Sequence, residues 1–164
     1  YGPGEVPGQY RNVIPNFIYL AMKGQPLPIT GDGKMTRDFT YVEDIVDALM
    51  RAGIREEAIG QEMNIASATE TEIVEMANTV NQLTGNKAGL SFTDRRKWDT
   101  KSRLLASIDQ AKELLGYDPK TDFTTGLGKT IRWFEENWEA IQNDAEFPPG
   151  MSSAVKNYFL KQEK

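Results

Sequence analysis

Apolar and polar positions along the 164-residue chain switch between a helical period and a strand period, and the switches mark out a series of short elements. Residues 1 to 10 are rich in Gly and Pro and are expected to form a loop. Asn12 then stands where a helix cap belongs, ahead of Val13, Ile14, Phe17, Ile18, Leu20 and Ala21; Pro15 falls in the first turn, where its missing N–H has no internal partner. A strand over Leu27 to Ile29 ends in the Thr30-Gly31-Asp32-Gly33 turn, and Thr36 to Thr40 reads as extended. Val42, Ile45, Val46 and Leu49 fall at i, i+3, i+4 and i+7, which predicts a helix with one apolar face ending near Gly53. Glu62 to Ile65 has strand character, and Ser67 to Thr71 is expected to be a loop capping a helix that carries Ile73, Met76, Ala77, Val80 and Leu83 and closes at Gly85. Ala88 to Phe92 predicts another strand, followed by a charged stretch from Asp94 to Arg103 and a short helix near Asp109 to Leu115 that stops at Gly116. Leu127, Ile131, Phe134, Trp138 and Ile141 lie on one stripe of a single long helix expected from about Phe123 to Ile141, and a further short helix is expected after Phe147-Pro148-Pro149-Gly150. No internal repeat or low-complexity linker divides the chain.

Composition narrows the chemistry. With 39% hydrophobic and 26% charged residues the chain suits one α+β domain able to bury its own core. No apolar run approaches the roughly 18 to 20 residues needed to span a bilayer, and no signal-like segment opens the sequence, so a soluble, cytoplasmic protein is expected. The absence of Cys excludes disulfides, thiolate metal sites and a cysteine nucleophile; the absence of His excludes an imidazole base and His-ligated metal. A net charge of −5 opposes non-specific attraction to nucleic acid or anionic membrane, so an anionic ligand needs local basic groups. The chain opens on Tyr1 in a Gly-Pro turn, which points to a piece of a longer protein.

Three apparent motifs fail on context. Tyr19 and Lys23 match Tyr-x-x-x-Lys, the acid/base pair of short-chain dehydrogenases, but six tyrosines in a Lys-containing chain produce that spacing by chance. Gly128-Lys129-Thr130 resembles the end of a phosphate loop, yet Phe123 occupies the position of the leading glycine and the segment is helical in pattern. Gly31-Asp32-Gly33 opens like a dinucleotide fingerprint, but Thr36 stands at the third glycine and a strand follows, so a turn is the better reading.

A set of blocks in order carries more weight. Tyr1-Gly2-Pro3, Val13-Ile14-Pro15-Asn16-Phe17-Ile18, Gly31-Asp32-Gly33 and Thr36-Arg37-Asp38-Phe39-Thr40-Tyr41-Val42-Glu43-Asp44-Ile45 are followed by Met63-Asn64-Ile65-Ala66-Ser67, Arg96-Lys97-Trp98-Asp99, Ala106-Ser107-Ile108-Asp109 and Leu115-Gly116-Tyr117-Asp118-Pro119. Together they resemble the extended short-chain dehydrogenase/reductases that act on nucleoside-diphosphate sugars, the NAD-dependent epimerase/dehydratase family of which UDP-glucose 4-epimerase is representative. The resemblance covers nearly the whole chain, up to about Trp138. It implies an α/β chain comprising the substrate-binding lobe and the carboxy-terminal end of a Rossmann-type sheet, without the amino-terminal dinucleotide-binding half. Residues 1–164 are then one substrate-binding domain: loop 1–10, folded core 11–142 and tail 143–164.

The resemblance also implies the roles. The whole enzyme uses NAD for 4-epimerisation or 4,6-dehydration of a UDP- or dTDP-sugar and pairs as a homodimer, whereas this chain alone is expected to bind no NAD, to carry no catalytic residue and to be inactive. Arg37 and Arg96 correspond to arginines that contact the ligand diphosphate, and Asp99 to a residue that contacts ribose or orients Arg96. Asn12 and Val13 correspond to nucleotide contacts, often through backbone atoms. The stretch from Leu27 and Pro28 to Thr30 corresponds to residues along the base, although the family often has a stacking aromatic where this chain has Thr30. The plainer alternative for Arg37 is a surface ion pair with Asp38 or Glu43, and Arg95 and Lys97 crowd the register around Arg96. Two other functions stay open, a non-catalytic nucleotide-sugar or NAD sensor and a dimerisation unit. A chain lacking half of its fold is further expected to self-associate or to expose an apolar patch.

Overall fold

The computed structural model describes residues 1–8, 12–95 and 100–145. The element order is α1 (Val13–Met22), β1 (Leu27–Thr30), β2 (Thr36–Asp38), α2 (Val42–Ile54), a 3-10 turn at Glu56–Ala58, β3 (Glu70–Glu72), α3 (Ile73–Thr84), β4 (Leu90–Thr93), α4 (Asp109–Leu115), α5 (Phe123–Glu136) and α6 (Trp138–Asp144). β1 pairs in parallel with β4, from Leu27 opposite Leu90 to Thr30 opposite Thr93. β2 pairs antiparallel with β3, placing Arg37 opposite Thr71. The other edge of β2 is met by the chain after residue 100: Thr36 N–H donates to Ser102 O at 2.9 Å, and Leu104 N–H to Thr36 O at 3.2 Å.

Among the described residues the buried apolar side chains form two cores. The larger joins α1, β1, α3, α5 and α6 through residues such as Ile14, Ile18, Leu27, Met76, Leu127 and Phe134. The smaller joins Ala48 of α2 and Ala66 to Ile108, Ala111, Leu115 and Tyr117. Tyr117 locks it, donating its hydroxyl to Ala66 O at 2.9 Å. Burial, with Asp44 and other carboxylates nearby, pushes that phenol up to about 12, so it stays a donor at neutral pH.

Most helices stand where the apolar period puts them, and Gly85 and Gly116 close α3 and α4 in the left-handed conformation. Four expectations need correction. Asn12 occupies the cap position of α1 without a side-chain cap bond; its amide donates instead to Glu5 Oε1 at 2.6 Å. Glu62 to Ile65 forms no strand, because among the described residues no neighbouring strand reaches it. Ser67 to Thr71 does not cap α3: β3 intervenes, and the first helical donors go to backbone, Ile73 N–H to Met35 O and Val74 N–H to Gly33 O, each at 3.0 Å. The expected long helix is two, parted at Asn137, whose side chain donates to Trp133 O at 2.9 Å and competes with the backbone ladder.

α2 departs from expectation in a more consequential way. Its inward face is Asp44 and Ala48, while Val42, Val46 and Leu49 of the predicted apolar stripe are 37%, 47% and 63% exposed. Asp44 replaces apolar packing with hydrogen bonds, accepting from Lys120 N–H at 2.9 Å and Thr121 N–H at 3.2 Å. The expected tail, residues 143–164, falls outside the described residues beyond Ala145.

Candidate functional site

Arg37 sits in the middle of β2, half-buried, between β3 and the returning segment at 101–104. Its Nη1 donates to Thr36 O at 2.7 Å and Lys101 O at 3.4 Å, so the guanidinium is tied to both backbones. Arg103 of the returning segment grips Glu70 of β3 with two parallel bonds of 2.7 Å, from Nε to Oε1 and from Nη2 to Oε2. Such forked pairing combines charge with fixed geometry. Thr36 Oγ1 donates to the same carboxylate at 2.8 Å. The Arg103 bonds, and then the Thr36 bond, hold the Glu70 carboxyl down at about 2.

Asp38, next along β2, fixes the following loop. Its carboxylate accepts from Ser67 N–H at 2.9 Å, Ser67 Oγ at 2.6 Å and Ala68 N–H at 3.0 Å. Ala68 has φ +55°, the single non-glycine with positive φ among the described residues, and Asp38 holds it there. With Asp38 engaged by this loop and Glu43 accepting from Lys129 at 2.7 Å, both carboxylates named as alternative partners for Arg37 have other bonds.

The remaining predicted residues divide. Thr30 is half-buried at the end of β1, beside the Gly31 turn against which the Arg95 side chain lies. Thus Arg95 borders β1 and Lys101 borders Arg37, and the chain between them carries Arg96 and Asp99, both outside the described residues. Leu27 and Pro28 are buried in β1. Asn12 and Val13 stand apart at the start of α1, Asn12 exposed and held by Glu5, Val13 packed against the larger core. Sequence reasoning missed Glu70 and Arg103. They lie in separate segments, and no local pattern pairs them.

The three discounted motifs take structural places. Lys23 Nζ lies 5.9 Å from the centre of the Tyr19 ring, which itself packs 5.3 Å from Trp138. Gly128-Lys129-Thr130 lies inside α5, with Thr130 donating back to Gly126 O at 2.8 Å. Gly31-Asp32-Gly33 is a turn whose Gly33 has φ +74° and abuts α3; a Cβ there would stand 2.9 Å from both Ile29 and Val74 side-chain carbons. Its carbonyl accepts from Val74 N–H at the start of α3, and the turn leads into β2 at Thr36 and not into a helix, so it lacks the strand–turn–helix context of a dinucleotide fingerprint. Among the described residues no cluster of acidic side chains could hold a metal, and no helix is long and apolar enough to cross a membrane.

Known proteins share this arrangement. The model of the NAD dependent epimerase/dehydratase family matches residues 1–66. A UDP-N-acetyl-alpha-D-glucosaminuronate decarboxylase of Bacillus cytotoxicus is 36% identical over 88% of this chain and 45% of its own length. The solved epimerase Mth375 of Methanothermobacter thermautotrophicus is 60% identical with a TM-score of 0.88, over 90% of this chain and 44% of that one. The chain belongs to the NAD-dependent epimerase/dehydratase family. A third member, the enzyme WbmF of Bordetella bronchiseptica solved with NAD+ and UDP, is 36% identical with a TM-score of 0.72, over 87% of this chain and 45% of that one. The mixed α/β architecture is thus part of a Rossmann-type epimerase fold, and the chain spans less than half the length of these family members.

Proposed function

We propose that the chain is the nucleotide-sugar-binding part of an NAD-dependent sugar-nucleotide epimerase or dehydratase, and that it is catalytically inert by itself. NAD, the hydride-transfer groups and the amino-terminal Rossmann half belong, in this reading, to a longer protein that pairs as a homodimer. The observation that carries it is Arg37, a guanidinium anchored on two carbonyls at the junction of β2 and the 101–104 segment. In a chain of net charge −5, such a fixed cation is what a pyrophosphate needs. Arg96 and Asp99 complete the proposed grip, with Thr30 and the backbone of Leu27 and Pro28 along the base and Asn12 and Val13 at the nucleotide. The UDP bound to WbmF makes UDP the first ligand to try.

Calorimetry on the longer protein tests the site. Hydrogen bonds to charged groups contribute about 1.5 to 3 kcal/mol, so Arg37→Ala should weaken UDP-sugar binding roughly 10- to 150-fold, while Tyr19→Phe leaves it intact. Equal affinity of Arg37→Ala and wild type for both UDP- and dTDP-sugars would remove Arg37 from the site. Stoichiometric micromolar NAD binding by this chain alone would overturn the division of labour.

A further inference from the structure

Every polar atom of Thr36 is engaged, and its partners tie three segments to Arg37. The N–H donates to Ser102 O at 2.9 Å and the carbonyl accepts from Leu104 N–H at 3.2 Å, the two bonds of a parallel bridge between Thr36 and Arg103. The same carbonyl accepts from Arg37 Nη1 at 2.7 Å. The hydroxyl donates to Glu70 Oε1 at 2.8 Å, the oxygen that Arg103 Nε also meets at 2.7 Å. One residue thus connects the guanidinium of Arg37 to the Glu70–Arg103 pair.

Successive side chains of a strand alternate between its two faces. Thr36 shares a face with Glu70, which it bonds, and with Arg103, its bridge partner, whereas Arg37 is one residue further along β2 and belongs to the other face. The ion pair therefore supports the ladder from the side opposite Arg37, and its carboxylate is not set against an anion on the Arg37 side. Two backbone bonds alone are a weak hold on a segment as exposed as 101–105. A single exposed ion pair adds little, but a forked Arg–carboxylate pair with a third bond from Thr36 fixes geometry as well as charge. Without it Thr36 and the returning segment can shift against each other, and the two carbonyls on which Arg37 rests, those of Thr36 and Lys101, shift with them.

We propose that Glu70 and Arg103 are positioning residues for the anion site: the pair pins Thr36 to the 101–104 segment and so holds the Thr36 and Lys101 carbonyls where they aim the Arg37 guanidinium at a ligand diphosphate. Neither residue touches the ligand. This rests on the functional reading above, in which Arg37 is the diphosphate contact.

The test is calorimetric titration of the longer protein with UDP, below its unfolding temperature, for wild type, Glu70→Gln, Arg37→Ala and the double variant. Aiming through Arg37 predicts that Glu70→Gln weakens UDP binding at least roughly threefold, and less than Arg37→Ala does. It also predicts that Glu70→Gln made in the Arg37→Ala background weakens binding hardly further, because residues that act through one another are not additive. A purely structural pair would lower the thermal midpoint and leave no such coupling. Thr36→Val removes one bond to Glu70 but keeps the ion pair; it should repeat the pattern, and it takes the place of Glu70→Gln if that variant does not fold. Wild-type affinity in the folded variant overturns the proposal, as does an equal loss in both backgrounds. Tighter binding overturns it too, since Arg103 would then be a ligand cation that Glu70 holds back. Loss in Arg37→Ala without loss in Glu70→Gln removes the positioning role and leaves the functional reading standing, whereas an Arg37→Ala protein that binds UDP like wild type removes both.

Discussion

Glu70 gathers Arg103 and Thr36 onto one carboxylate and so joins β3, β2 and the returning 101–104 segment. Its folded value of about 2 lies below its ordinary 4.5, so its contribution to stability is complete above about pH 4.5 and is lost as the pH falls through about 2. Denaturant midpoints for wild type and Glu70→Gln between pH 7 and pH 2 should therefore converge at the acid end; parallel profiles would show that the carboxylate is not depressed. Gly33 illustrates another residue-scale demand. Its turn was legible in the sequence, but the reason for glycine, contact with Ile29 and Val74 of other elements, was not. Arg37 stood out through its neighbours in the chain, whereas the Glu70–Arg103 pair beside β2 depends on tertiary pairing that no window of sequence contains.

Among elements, α2 shows what periodicity does and does not say. The stripe of Val42, Ile45, Val46 and Leu49 located the helix correctly but not the side on which this chain buries it, because period reports amphipathicity and not the identity of the neighbour. Strand character at Glu62 to Ile65 was likewise read from residues while a strand requires a partner. The break at Asn137 was hidden by an apolar stripe that continues across it, Phe134 and Ile141 both being buried. What fastens α2 inward is Asp44, a buried acceptor for the backbone leading into α5. Asp44→Ala leaves the Lys120 and Thr121 N–H groups without it and should cost about 1 to 3 kcal/mol in urea unfolding, while Asp44→Asn keeps one acceptor and should cost less. A neutral Asp44→Ala would mean that water replaces the carboxylate freely.

For the whole molecule, the parallel pairing of β1 with β4 governs the order in which the chain can assemble. Everything from Gly31 to Gly89, including β2, α2, β3 and α3, lies between the two strands as one crossover. Closing so long a loop sacrifices chain entropy before any rung of the ladder forms, and non-local pairings of this kind slow folding. The helices and the β2–β3 pair are therefore expected to be in place first, with β1 and β4 meeting after the rate-limiting barrier. Ile29, fully buried in β1, reports on this: Ile29→Val should destabilise by about 0.5 to 1.5 kcal/mol. In stopped-flow denaturant jumps the loss should appear as faster unfolding with folding nearly unchanged. A variant that instead folds more slowly would place the strand pair in the folding nucleus. With that order, a chain still emerging from the ribosome holds its β1 edge open until β4 has been made and the crossover has collapsed, an interval in which a foreign strand can take β4's place.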